Sequence, residues 1–482
     1  MKDSSLVSKI MIASSHPIDR PDANPEVDSD LEFESLVANP EDYSLLTDLY
    51  ELTMAACYAG EGLDSREAHF ELFARRLPPQ FGYLIAMGLT QAIDYLRNFR
   101  FGPSQIEALQ STGIFASAPD RFWSLLEDAR FQGNLWAVPE GTAIFANEPI
   151  LRVEAPLWQA QILETYLLNT LNYQTLIATR AARIRDVAGP QATLLEFGTR
   201  RAFSPQGSLW AARAALAAGF NATSNVLAAF KLGRKPAGTM AHALVIALSA
   251  IQGSEARAFS AFHHYFPGAP LLIDTYDTVA AAHKLAGRLE AGEIELQGVR
   301  IDSGDLVTLS REVRSLLPET PIFASGDLDE WEIARLQAEG ACIDGYGLGT
   351  RLVTGSAIGG VYKLVEIDGI PVMKRSQEKV TYPGRKQIFR TCEGDRINSD
   401  RLGLADEETR TGEKPLLELV IERGKRVRNR ESLEDIAKRT ATSVASLPSP
   451  SRDLDRPAPF PVEVSEALQA LTDRVSSTSP TH

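Results

Sequence analysis

Glu196-Phe197-Gly198-Thr199-Arg200-Arg201 ends an apolar stretch that begins at Thr193, and Gly238-Thr239-Met240-Ala241-His242 follows further along the same chain. Two adjacent arginines just past a buried strand are poorly placed for packing. Their planar forks suit phosphate or carboxylate oxygens, which makes the pair a candidate oxyanion clamp. A salt bridge to Glu196 or a solvated loop is the plainer reading. His242, behind a Gly-Thr step in an apolar run, is a candidate nucleophile or proton carrier, although a lone histidine of this kind is also a common packing residue. Together the two segments point to phosphate chemistry at the mouth of an α/β fold.

Four aspartates, Asp274, Asp277, Asp302 and Asp305, close two successive apolar segments. An aspartate there is often a helix cap, and Asp305 before Leu306 suits that role. Four converging carboxylates would repel one another unless a cation or sugar hydroxyls lay between them. Magnesium, with its oxygen ligands, fits that description, and carboxylates also stabilise positive charge developing on a sugar ring. Gly345, Gly347, Gly349 and Thr350 form a glycine-rich segment end, where backbone N–H groups can approach a phosphate, though tight loops need glycine anyway. His263 and His264 read as packing or surface residues. The basic run of Lys374, Arg375, Lys379, Arg385, Lys386 and Arg390 reads as a solvated hairpin or as an aid to binding triphosphate or pyrophosphate.

These residues need strands and helices to hold them. From Thr193 onward, apolar strands end in small polar or charged residues and are followed by helical segments, as at Leu271-Leu272-Ile273-Asp274, Val299-Arg300-Ile301-Asp302 and Ile322-Phe323-Ala324-Ser325. This grammar predicts right-handed βα units in a parallel sheet, with a barrel favoured over a doubly wound sheet because many separate strand ends carry polar residues. Before it, the chain reads as α+β. Thr47 or Asp48 caps a helix with Leu49, Leu52 and Ala56 on its apolar side, residues 69–73 alternate as a strand, residues 87–99 read as a helix, and residues 141–153 read as paired strands about a turn at Asn147. One long helix is predicted over 157–187.

The predicted domains are a flexible leader over 1–42, an N-terminal α+β domain over 43–155, the barrel over 156–358, a segment over 359–440 returning to the α+β domain, and a flexible tail over 441–482. Both ends are rich in Ser, Pro and charge and offer little apolar surface to offset ordering; a short helix over 462–475 is compatible with the tail. At 482 residues the chain is longer than one typical core, and its net charge of −14 argues against a general nucleic-acid or anionic-membrane binder. Cys57, Cys342 and Cys392 are too few and too scattered to suggest a disulfide framework or a CxxC site. With no signal-peptide core and no apolar run of membrane-spanning length, the expected location is cytoplasmic.

Thr47-Asp48-Leu49-Tyr50, Glu196-Phe197-Gly198-Thr199-Arg200-Arg201, Gly238-Thr239-Met240-Ala241-His242, Arg300-Ile301-Asp302-Ser303-Gly304-Asp305, Ala324-Ser325-Gly326-Asp327-Leu328 and Gly347-Leu348-Gly349-Thr350 occur in that order. Taken together they resemble the nicotinate phosphoribosyltransferases of the type II phosphoribosyltransferase superfamily. The resemblance runs from about Ser44 to Arg390, with a departure at Ala202-Phe203-Ser204-Pro205-Gln206 after the paired arginines. It implies an irregular TIM-like α/β barrel joined to an open-faced α+β sandwich domain. The implied reaction joins nicotinate to phosphoribosyl pyrophosphate, with ATP as co-substrate, magnesium as cofactor and a role in NAD salvage. It implies that His242 is phosphorylated, that Asp302 and Arg200 join it in catalysis, and that Asp48, Tyr50, Phe197, Ser224, Arg300, Gly326, Gly347, Gly349 and Thr350 bind substrate. Tyr50 would come across a homodimer interface to face Phe197 over the pyridine ring. Nicotinamide phosphoribosyltransferases share much of this wording but carry an aspartate where this chain has Ser224; a serine can donate to a carboxylate, whereas an aspartate accepts from an amide. A catalytically silent, dimeric ligand-sensing relative is the reading from another class. A Schiff-base lyase is disfavoured, because no lysine sits at a strand end.

Overall fold

The structure, a computed structural model, describes residues 38–374 and 381–478. Most of the predicted leader, and Arg375 and Lys379 of the basic run, lie outside the described residues.

Six parallel strands make one sheet, in the neighbour order Ala222–Thr223, Thr193–Glu196, Gly345–Leu348, Ile322–Ser325, Val299–Ile301 and Leu271–Leu272. Followed as a ring, this is chain order, because the first strand of the series lies beside the last. It is the strand order of an α/β barrel left unpaired at a seam between Ala222–Thr223 and Leu271–Leu272; a doubly wound sheet would instead reverse direction at a switch point. Residues 236–241 cross the seam. There the Ala237 N–H donates to the Thr223 carbonyl at 2.9 Å and the Thr239 hydroxyl to the Pro270 carbonyl at 2.6 Å.

The strands are short, and the helices after them start where a side chain takes up an otherwise orphaned N–H. Ser204, Asp277, Asp305 and Asp329 accept from the N–H groups of Gly207, Ala280, Val307 and Glu332 respectively. Ser204-Pro205 is thus a helix start with proline at its first position, where no N–H is needed. This gives the departure from the family wording a local structural role.

The single helix predicted over 157–187 is two, Leu157–Ile162 and Glu164–Ala188. The buried Glu51 carboxylate accepts the Thr165 N–H at 3.0 Å, so that donor is captured by a side chain from a distant helix at the break. The later helix packs against Pro205–Ala217 and Glu330–Ala338 and so backs the barrel. In the first helix, Leu49–Gly60, Leu52, Ala55 and Ala59 are buried, whereas Leu49 is exposed.

The rest of the chain builds sheets that are antiparallel except where Val462–Val464 runs parallel to Arg396–Leu404. One has seven strands, three of them (Glu67–Ala74, Asn134–Ala137, Pro149–Pro156) from before the barrel and four from after it. The predicted pairing within 141–153 is corrected: Ala143–Ile144 pairs with Leu84–Ile85, while Pro149–Pro156 pairs with Glu67–Ala74 and Asn134–Ala137. Asn147, at φ 66°, turns the chain from one sheet to the other.

The flexible tail predicted from 441 is also corrected over the described residues. The helix Leu433–Ser446, the strand Val462–Val464 beside Arg396–Leu404, and the helix Glu466–Thr478 occupy it. Two apolar anchors fix it: Phe460 stacks on Phe145 with ring centres 3.9 Å apart, and Leu468 is fully buried. The three cysteines are free thiols. Among the described residues no helix is long and apolar enough to cross a membrane.

Candidate active site

A cavity of about 900 Å³ opens at the C-terminal ends of the parallel strands, where Phe197, Arg200, Ser224, His242, Arg300 and Asp302 meet. Each enters from a different segment. Phe197 and Arg200 follow Thr193–Glu196, Ser224 follows Ala222–Thr223, His242 opens the helix His242–Gln252 behind the seam crossing, and Arg300 and Asp302 come from Val299–Ile301 and its end.

Arg200 and Arg201 are exposed, and among the described residues neither has an ion-pair partner. Arg201 does not line the cavity and fits the solvated-loop reading, whereas the bridge to Glu196 fails because that carboxylate is fully buried and already used. It accepts from the Thr223 hydroxyl and the Gly198 N–H, and burial raises its pKa despite those bonds. Arg300 is held more firmly. One of its nitrogens donates to the Met240 carbonyl at 2.7 Å, another lies 3.6 Å from Asp302 Oδ1, and the guanidinium stands 6.0 Å from the centre of the Phe197 ring. Burial lowers the Arg300 pKa; Asp302 and Asp274 oppose that shift, and Arg200 adds to it. Arg200 and Arg300 therefore repel across the same cavity, and an anion between them would relieve both.

His242 Nδ1 lies 3.1 Å from the Thr275 hydroxyl, and Nε2 lies 3.9 Å from Asp274 Oδ1 and 4.0 Å from Asp302 Oδ2. The four aspartates do not converge. Asp277 and Asp305 cap helices, while Asp274 and Asp302 face the histidine. Asp274 also holds the loop after Val299–Ile301, accepting the Asp302 N–H at 2.8 Å and the Ser303 hydroxyl at 2.7 Å. Its other oxygen is buried without a hydrogen-bond partner. Among the described residues no group of three His, Cys, Asp or Glu side chains is placed to hold a metal ion.

The glycines divide. Gly326, at φ 94°, borders a hollow of about 270 Å³ beside Asp302, and a Cβ there would stand 2.4 Å from the Asp302 carbonyl oxygen. A Cβ on Gly347 would stand 2.5 Å from the Phe197 ring, so this glycine makes room for the aromatic side chain. Gly349 and Thr350 border neither space. Nor do Asp48 and Tyr50; Asp48 stands at the N-cap of Leu49–Gly60 without the expected side-chain capping bond and instead accepts the Thr165 hydroxyl at 2.9 Å. Burial, followed by the nearby Glu164, raises the Tyr50 pKa. Three described residues of the basic run are already paired with carboxylates. Lys386 is buried against Glu71 at 2.8 Å, Arg390 against Asp400 at 2.6 Å, and Arg385 lies 3.2 Å from Glu366.

Thr275, Phe262 and Phe266 belong to the site although their types did not mark them. Thr275 is next to Asp274 in sequence. Phe262 and Phe266 are four residues apart on the helix Glu255–Tyr265 and its end, and helical spacing alone puts them on one face.

Models of the nicotinate phosphoribosyltransferase N-terminal domain, the nicotinate phosphoribosyltransferase family and the nicotinate phosphoribosyltransferase C-terminal domain match residues 45–172, 192–334 and 408–472. Nicotinate phosphoribosyltransferase of Bacillus subtilis (strain 168) is 40% identical over 463 residues, spanning 88% of this chain and 93% of that one. The chain belongs to the nicotinate phosphoribosyltransferase family. A bovine (Bos taurus) nicotinate phosphoribosyltransferase is 35% identical over 523 residues, covering 90% of this chain and 96% of its own. The crystal structure of human nicotinic acid phosphoribosyltransferase superposes with a TM-score of 0.78 at 31% identity, covering 89% of this chain and 99% of that one. The likeness to this nicotinate phosphoribosyltransferase structure therefore spans the barrel and the antiparallel sheets alike.

Proposed function

We propose that this protein joins nicotinate to 5-phosphoribosyl 1-pyrophosphate, giving nicotinate mononucleotide and pyrophosphate, in salvage of the pyridine ring for NAD. The observation that carries this reading is the shared cavity, where the unpaired Arg200, the Phe197 ring, Arg300 and Ser224 face His242 in a chain of this family. The aromatic ring of Phe197 supplies a stacking surface for the pyridine. Arg300 and Arg200 attract its carboxylate and the donor's phosphates, and the Ser224 hydroxyl donates to the carboxylate. As pyrophosphate departs, positive charge grows on the sugar ring. Asp302, beside the cavity, stabilises that charge, so the reaction depends on alignment and electrostatics more than on a strong base. The hollow beside Gly326 suits the 5′-phosphate; Gly349 and Thr350 would contribute to it only through the backbone beyond.

ATP hydrolysis is coupled through His242. Nε2 attacks the γ-phosphorus, the bond to the ADP oxygen breaks and ADP leaves; water then attacks the phosphorus, the Nε2–P bond breaks, and inorganic phosphate leaves the restored ring. Magnesium, when bound, neutralises phosphate oxygens. Asp274, with its unpartnered buried oxygen, and Asp302 are the residues suited to it, and substrate oxygens would complete the coordination. The protein acts as a cytoplasmic homodimer. Support for the dimer comes from the exposed Phe203, Val226, Leu227 and Phe230 near the cavity and the exposed Leu46, Leu49 and Tyr50 at the first helix. Covering both sets with a second copy would bring Asp48 and Tyr50 to the partner's cavity.

The test is a product assay with nicotinate and nicotinamide side by side, with and without ATP, on the native chain and on Ser224→Asp. Native protein is expected to turn over nicotinate and to be stimulated by ATP. A like charge set against the substrate carboxylate costs several kcal/mol, so Ser224→Asp is expected to lose about a hundredfold or more in kcat/KM for nicotinate. Rapid turnover of nicotinamide and none of nicotinate by the native protein would sink the assignment.

A further inference from the structure

A second cavity, of about 1050 Å³, shares no lining residue with the site above. It lies between the seven-stranded and the four-stranded sheets, bounded by the helix Leu89–Asn98, the hairpin of Lys386–Glu393 and Arg396–Leu404, and the helix Leu433–Ser446. Its size suits a small organic molecule. Ile93, Ile397, Leu416 and Val420 give it apolar walls.

The charges on its walls do not balance. Arg390 is paired with Asp400 at 2.6 Å, Arg428 with Glu418 at 3.3 Å, and Arg439 with Glu431. Lys414 and Arg426 also line it, and among the described residues neither has a carboxylate partner. Arg426 is steadied by donating to the Arg428 carbonyl at 2.6 Å. Against these two cations stands Asp395, the one lining acid without an ion pair among the described residues.

We infer that this cavity is a second binding site, for a small organic anion with an apolar body. Its apolar walls take the body, and Lys414 and Arg426 take the charge. The site also touches the catalytic half of the molecule. Glu140 on its wall grips Arg213 through two hydrogen bonds, at 2.6 and 2.9 Å, and Arg213 lies on the helix that follows the Arg200 loop.

Cys392 lines the cavity as an exposed free thiol, whereas the exposed Cys57 lies on the helix Leu49–Gly60 and borders neither cavity. The experiment is alkylation of the full-length protein by iodoacetamide, with each cysteine followed by peptide mass spectrometry. The probe is 8-anilinonaphthalene-1-sulfonate, and N-phenyl-1-naphthylamine serves as the uncharged counterpart. At ten times its Kd, the sulfonate is expected to slow Cys392 alkylation about tenfold by mass action, with Cys57 unchanged. The neutral amine should leave Cys392 unprotected, and Lys414→Gln with Arg426→Gln should remove protection by the sulfonate. No slowing at millimolar sulfonate, equal slowing by the amine, or equal slowing at Cys57 overturns the site. If the double variant fails to fold by circular dichroism, the sulfonate–amine pair on the native chain decides.

Discussion

Replacing His242 with alanine is expected to abolish stimulation by ATP while leaving a slow, ATP-independent transfer. The geometry separates the two. A neutral ring that donates from Nδ1 to the Thr275 hydroxyl, 3.1 Å away, keeps the Nε2 lone pair free on the cavity side. That nitrogen is the one a phosphoryl group would occupy. The residues proposed to hold the pyridine and the donor do not depend on the histidine for their positions. Arg300 is held by the Met240 carbonyl, Phe197 by the space over Gly347, and Asp302 by its backbone bond to Asp274. Two measurements check this. Initial rates with and without ATP should converge in the variant, and γ-phosphate-labelled ATP should label the native chain but not the variant. Equal loss of both activities in a folded variant would count against the phosphohistidine.

Arg213→Met is expected to have the larger effect on stability. Glu140 is buried and fully used. It accepts both Arg213 bonds, the Gly88 N–H at 2.7 Å and the Thr90 hydroxyl at 2.8 Å. Burial alone would raise its pKa, but the Arg213 charge and hydrogen bonds outweigh burial and hold it below the usual value. Removing the guanidinium leaves a carboxylate in the interior with no cation, a change that typically costs about 3–5 kcal/mol. Because the native pKa is depressed, this stabilisation is fully present above the unfolded-state value of about 4.3 and is lost as pH falls through the folded value. Urea unfolding at neutral pH should show the full deficit. The gap between native protein and variant should narrow as the pH is lowered, because Glu140 takes up a proton first in the variant, where burial is no longer opposed by Arg213, and only later in the native protein. A deficit independent of pH would point to lost packing instead.

Much of the parallel sheet was legible because most of its strands lie in apolar runs followed by polar residues, and one of its helix starts is marked by Asp305. Of the residues lining the cavity, Arg200 and Asp302 stood out by following apolar runs and His242 by its Gly-Thr step, whereas Phe197, Ser224 and Arg300 came only with the family resemblance and Phe262 and Phe266 were not marked. Other features depended on distant partners. The break before Glu164 comes from Glu51, more than a hundred positions away, and Ala143–Ile144 finds its partner in Leu84–Ile85. Composition made residues 441–478 read as tail, because two anchors, Phe460 and Leu468, do the work that a long apolar run does elsewhere. Asp277 and Asp274 differ by three positions and look alike in sequence, yet one caps a helix and the other faces His242. Only the direction of the chain after the strand separates them.

The unpaired seam of the parallel sheet sets how the catalytic wall can part. Residues 236–241 are tied across it by the Ala237 and Thr239 bonds and by Arg300 at the Met240 carbonyl. Each such bond is worth about 1 kcal/mol net. Opening here therefore asks for far less than prising apart two laddered strands, and it would carry His242 with it. In the proposed reaction a bulky triphosphate would enter by this hinge, deliver its phosphoryl group and leave, while Phe197, Arg200 and Ser224 stay on the paired strands Thr193–Glu196 and Ala222–Thr223 and Arg300 is released from the Met240 carbonyl. The gap in the ring would then act as a turnstile between two substrates that share one chamber.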